Sequence, residues 1–129
     1  MKPSREPRPR NDRRRAKRIK VLGQIRACLL GGELPLSMID ISSSGFAVQS
    51  PIDFEPGFEY EFKLTSERGA EVFVVASNVH CLHILADGRP WYMAGFTFPE
   101  NLKTEDRQRI AALIRALMQT QVATDAVAG

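Results

Sequence analysis

The stretch Glu59-Tyr60-Glu61-Phe62-Lys63-Leu64 changes character at every residue, with its apolar side chains on even positions and its charges on odd ones. Successive side chains of an extended backbone point to opposite faces, so this period of two predicts a strand with one face buried and the other in water. Working outward, comparable short runs recur along the chain. We expect strands near residues 20–30, 34–41, 45–49, 59–66, 71–85 and 91–98. Between them lie Gly31-Gly32, the Ser42 to Ser44 cluster, Pro56-Gly57, Arg68-Gly69 and Asp87-Gly88. Glycine accepts positive φ and Asp-Gly favours tight hairpins, so each break is a turn with a mechanism. Many short strands punctuated in this way predict an all-β sandwich or barrel.

The period then changes. Ile110, Leu113, Ile114, Leu117 and Met118 follow the spacing of an amphipathic helix, with Thr104 as N-cap and Glu105 and Asp106 in the first turn, where the helix dipole favours negative charge. A helix over 104–120 should close one end or side of the strand layer. Residues 121–129 are mostly small and lose the pattern, which predicts a frayed tail. At the other end, residues 1–12 hold three prolines and the cations Lys2, Arg5, Arg8 and Arg10, with no apolar residue other than proline after Met1. Such a segment cannot contribute to a core and is expected to be a disordered basic arm. The expected organisation is one domain over 13–120, with its strands in 19–98.

With 129 residues and 43% hydrophobic content, the chain can bury one core. Its longest apolar runs, 72–76 and 110–114, fall far short of the roughly 20 residues that span a bilayer, so no membrane insertion is expected. No apolar stretch follows the N-terminal charges, so no secretory signal is read and the cytoplasm is the expected compartment. Cys28 and Cys81 are then expected as buried thiols and not as a disulfide. The net charge of +3 conceals an asymmetry: residues 1–20 carry +8 and the remainder −5. A basic block of this kind is either a solvated tail or a phosphate-binding arm.

Two short motifs draw attention as a pair. Arg14-Arg15-Ala16-Lys17-Arg18 is an Arg-x-x-x-Arg pattern, preceded by Arg13 and leading into the first strand; Asp40-Ile41-Ser42-Ser43-Ser44-Gly45 is an Asp-x-Ser-x-x-Gly pattern at a turn between strands. With the ending Trp91-Tyr92-Met93-Ala94-Gly95-Phe96-Thr97-Phe98 before a helix, the chain resembles the PilZ domain family from about Arg13 to the end of the helix. The resemblance implies a six-stranded antiparallel β-barrel with a C-terminal α-helix, and a receptor for cyclic di-GMP. It implies no enzyme, no cofactor, and signalling through a downstream protein that the sequence does not identify.

That ligand is a compact dianion with two guanines. The O6 and N7 acceptors of guanine match an arginine fork, which points to Arg14 and Arg18, while its N1 and N2 donors need an acceptor such as the Asp40 carboxylate. Ser42 offers a hydroxyl to a base or phosphate, and Gly45 lets the backbone turn with no Cβ facing the ligand. Arg13, just before the arginine motif, implies by resemblance a stacked pair of ligands. The plain reading of Asp40, Ser42 and Gly45 is a self-satisfied turn.

Other classes fit less well. His80-Cys81-Leu82-His83 has no second pair of ligands at zinc spacing, and His80 and Cys81 should face opposite ways on a strand. One histidine is expected exposed and the other partly buried. No Gly-x-Ser-x-Gly elbow supports a hydrolase. Nucleic-acid binding through the basic arm is the main alternative, opposed by the acidic body and the lack of exposed stacking aromatics. A ligand-free adaptor is the other.

Overall fold

The computed structural model describes residues 17–21 and 23–128. The expected disordered arm, 1–12, and the arginines Arg13 and Arg14 lie outside them. Among the described residues seven strands precede one helix: β1 (Ile19–Lys20), β2 (Ile25–Leu29), β3 (Leu34–Ile41), β4 (Gly45–Ser50), β5 (Glu59–Ser66), β6 (Glu71–Ala86), β7 (Arg89–Thr97) and α1 (Thr104–Ala128). Neighbouring strands pair antiparallel in the order β3-β2-β5-β6-β7-β4, and β4 returns to β3. The ring is therefore a closed six-stranded barrel, which leaves few backbone groups on free edges.

The first expected strand, 20–30, is divided. β1 lies on one end of β3, Ile19 opposite Ile41 and Lys20 opposite Asp40, while β2 pairs with the other end, Ala27 opposite Leu36. Between them Gly23 takes φ 82°, a left-handed conformation that no regular strand contains. The hairpin turn Asp87-Gly88 has φ 54° and 75°, positive at both central residues as the type I′ turn requires.

Alternation fills the interior as the opening stretch predicts. Phe62 and Leu64 are fully buried, with Phe46, Val48 and Ile41 beside them. Phe62 meets the rings of Phe46 and Phe96 edge-on at 5.1 and 4.8 Å, while Phe46 and Phe96 stack at 5.3 Å. Each buried aromatic contributes a few kcal/mol through the area it removes from water, with an increment for ring geometry.

Ile110, Leu113 and Leu117 of α1 are buried in the same core, whereas Met118, on the expected apolar face, is 40% exposed. The helix runs eight residues past the expected end at 120 and through the expected frayed tail. Residues 121–128 contain neither glycine nor proline, so nothing in the backbone stops it. Near residue 121 it reaches the start of the barrel, where the Gln121 side-chain amide donates to the Lys20 carbonyl at 2.5 Å.

Candidate functional site

Strand alternation alone would turn Asp40 inward, in phase with the buried Leu36 and Met38. The β3–β4 register instead shifts between Met38 and Asp40, so that Met38 and Ile41, three apart, both enter the core. One extra residue in one strand of a pair is a β-bulge, and it rotates the following side chains to the other face. Asp40 therefore points outward, next to β1. There Arg18, one residue before β1, donates from its guanidinium to Asp40 Oδ1 at 2.6 Å. The pair is accessible, with Arg18 58% and Asp40 23% exposed.

Asp40 opens a row across the outer barrel wall. It stands opposite Ala47 on β4, Ala47 opposite Gly95 on β7, and Gly95 opposite His80 on β6. Ala47 lies between the buried Phe46 and Val48, and Gly95 between the buried Ala94 and Phe96, so both face outward. The middle of the row is thus a floor of the two smallest residues. The His80 ring lies over Gly95: a Cβ there would come within 2.6 Å of His80 Nε2.

A second bulge sets this end of the row. The β6–β7 register shifts between Asn78 and His80, leaving Asn78 buried and both Val79 and His80 exposed. The Asn78 amide stabilises the kink by donating to the carbonyls of His80 and Gly95, each at 3.0 Å. The wall therefore offers a carboxylate and a guanidinium at one end, an open step at Ala47, and at the other end an imidazole that covers Gly95. Four strands at about 4.8 Å spacing make it roughly 14 Å from Asp40 to His80, with the His80 ring taking up the far part.

The sequence profile of the PilZ domain family matches residues 12–116, most of the chain and both motifs. The chain belongs to the PilZ domain family. Solved structures agree on the fold. The c-di-GMP complex of MrkH from K. pneumoniae superposes with TM-score 0.69 at 16% identity, over 86% of this chain and 55% of that one. The PilZ domain of Escherichia coli YcgR with c-di-GMP gives 0.67 at 15%, covering 88% and 97%. Bacillus subtilis MotI/DgrA gives 0.63 at 17%, covering 86% and 52%. This PilZ chain thus spans about half the length of MrkH and MotI and nearly all of the YcgR domain. No curated protein sequence matches it.

Of the residues expected at the PilZ site, Arg18 and Asp40 are brought together. Ser42 and Gly45 take up structural tasks. Ser42 is 1% exposed, its Oγ accepting from the Ser44 amide at 3.1 Å while its own amide donates to the Gly45 carbonyl at 2.8 Å. The turn is tied to β7, since Thr97 Oγ1 and the Phe98 amide both donate to the Ser44 carbonyl. Gly45 is required by packing and not by a positive φ: a Cβ there would lie 2.0 Å from the Phe96 carbonyl oxygen.

His80 was not a sequence candidate. Its signal is present only as a polar residue beside Asn78 in an otherwise apolar run, where a bulge can be suspected. Both histidines are exposed, against the expectation of one partly buried: His80 because of the bulge, His83 because it lies beyond the closed barrel, stacked on Tyr92 at 5.2 Å. Cys28 and Cys81 are half-buried and unbridged. Burial pushes the Cys81 thiol up, and the Asp53 carboxylate adds to the shift against a hydrogen bond at the Phe54 backbone. Among the described residues no group of three His, Cys, Asp or Glu is placed to hold a metal, and no helix is long and apolar enough to cross a membrane.

Proposed function

We propose that this chain is a c-di-GMP receptor that binds its ligand on the outer wall from Asp40 to His80 and signals through a partner protein, without catalysis. The observation that carries the reading is the Arg18–Asp40 pair at the edge of the Ala47–Gly95 floor. The family membership and the c-di-GMP held by the MrkH and YcgR structures support it.

A guanine laid on the floor meets complementary groups. Arg18 donates to O6 and N7, and Asp40 accepts from N1 and N2. The two side chains hold each other until the base arrives, and since an exposed ion pair is worth about 0–1 kcal/mol, exchanging it for charge-assisted bonds to a base costs little. His80 offers a ring face to a base at the far end, a contact type worth about 1–3 kcal/mol. Arg13, Arg14 and the cations before them supply charge for the two phosphates, so binding draws the arm over the wall and changes the surface a partner meets. Ser42 and Gly45 act by holding the turn that aims Asp40.

Calorimetric titration with c-di-GMP tests this, beside an Arg18→Ala, Asp40→Ala double variant. Saturable binding by the wild type that the variant loses is expected, and the stoichiometry separates one ligand from a stacked pair. Absence of binding at high micromolar ligand overturns the receptor reading and leaves a protein-contact adaptor.

A further inference from the structure

The geometry points to a second copy of this chain as the occupant of the free edge of β6, the two copies pairing antiparallel through residues 80–86. β6 is partnered by β5 only as far as Ser77, and by the Gly57 and Phe58 backbone at Asn78. From Val79 to Ala86 its only strand partner among the described residues is β7, on the other edge. β4 in turn leaves β7 at Tyr92, so the end of the β6–β7 hairpin projects beyond the barrel as a two-stranded ribbon. Such a ribbon is marginal by itself in water.

The direction of its unpaired groups follows from the turn. Ala86 faces Arg89 across the two-residue turn Asp87-Gly88, so this is a hydrogen-bonded pair, and every second pair before it is another. Ala86, Ile84 and Leu82 thus bond to β7, and the amides and carbonyls of Leu85, His83 and Cys81 face away from it. Pro90 fits this phase, because its missing N–H would point away from β6.

Natural edges of this kind are usually blunted by charge, proline or a covering element. This one is not. Asn78 to Ala86 contains no Asp, Glu, Lys, Arg or Pro in a chain that is 26% charged, and Leu85, Leu82 and Val79 are 75%, 60% and 53% exposed. An uncharged edge can approach its own copy without like-charge repulsion, and the side chains are self-complementary in one register. With a two-fold axis at His83, the outward backbone groups of His83 meet their symmetry mates and those of Cys81 meet Leu85, each pair exchanging both hydrogen bonds. The same register sets Leu82 against Ile84 on the outer face and Leu85 against Cys81 on the inner face, so the exposed leucines are covered. The result is a four-stranded sheet across the dimer.

Sedimentation equilibrium over micromolar loading concentrations is expected to give twice the 14.4 kDa mass of one chain. Leu85→Lys puts a charge on an exposed position of each edge, and His83→Pro removes the central donor without taking an N–H from the β6–β7 ladder. With two altered contacts per dimer, each variant is expected to raise the dimer dissociation constant about 100-fold, with unchanged far-UV circular dichroism. A wild type that stays at 14.4 kDa throughout overturns the pairing, as does a dimer whose affinity survives both variants. Neither residue lies in the row from Asp40 to His80, so the result is independent of ligand binding.

Discussion

Arg18 and Asp40 lie 22 positions apart in the sequence and one hydrogen bond apart in the fold. Their motifs made that meeting legible, because a guanidinium and a carboxylate near one turn have an obvious common ligand. His80 shows the opposite case, since no motif marks it and its place over Gly95 comes from the register of two other strands. If it stacks on a base, His80→Ala should weaken c-di-GMP binding by roughly 5- to 150-fold, from about 1–3 kcal/mol of stacking, while His80→Phe keeps most of it. Equal titrations for wild type and His80→Ala would remove it from the site. Gly45 is a structural counterpart. A methyl group there collides with the Phe96 carbonyl, so Gly45→Ala must part β4 from β7 and is expected to lower stability by about 1–3 kcal/mol in urea unfolding, in ligand-free protein. An unchanged urea midpoint would show that β4 and β7 accommodate the methyl group without parting.

At the scale of elements, strand existence was readable, and strand phase was readable where no bulge intervenes, as in Phe62 and Leu64. Period-two counting along Leu36, Met38, Asp40 and along Val74, Ala76, Asn78, His80 assigns both Asp40 and His80 to the interior. Each is turned outward by a bulge, and the two bulges bracket the small-residue floor between them. The bulge in β3 leaves no compositional mark and the one in β6 only the polar Asn78 and His80 in an apolar run, which is why the pattern showed the strands but not the wall. Asn78 holds the second bulge, with its amide on the carbonyls of His80 and Gly95 and its side chain 1% exposed. Asn78→Ala leaves two carbonyls without their donor inside the wall. Leaving a buried polar group unsatisfied costs about 1–3 kcal/mol, and removal of Asn78 Oδ1, itself buried without a partner, offsets part of it, so a loss of about 1–3 kcal/mol is expected in chemical denaturation, together with weaker c-di-GMP binding as His80 loses its aim. A variant that unfolds at the wild-type midpoint would show that β6 keeps its bulge without the amide. The helix end was misjudged for a related reason, since loss of amphipathic period says that a face is no longer buried and not that the helix has stopped.

At the scale of the molecule, the division of charge decides what kind of ligand the arm can serve. Residues 1–20 carry +8 on a body of −5, so the arm is attracted both to phosphate and to its own barrel. A polymeric nucleic acid and a dinucleotide would use that charge differently. A polyanion surrounds itself with condensed counterions, and an arm that neutralises several phosphates releases them, so affinity falls about 10³-fold or more between 50 and 200 mM salt. c-di-GMP has two phosphates and no condensed atmosphere, and in the proposed site part of its recognition would come from base-edge bonds to Arg18 and Asp40 that salt screens less. Between the same salt concentrations its affinity is expected to fall by roughly tenfold or less. Hydrogen exchange supplies the structural half of the test: ligand should slow exchange at amides 13–18, where the arginine motif would close over the wall, and do so at 200 mM salt as well as at 50 mM. Protection that disappears with salt, or an affinity that collapses with it and is indifferent to Asp40→Ala, would assign the arm to nucleic acid. Protection that persists in salt, appears only with ligand and is lost in Asp40→Ala would make the arm the moving part of a dinucleotide receptor, since the Arg18–Asp40 pair is already formed without ligand and cannot by itself account for a ligand-dependent change.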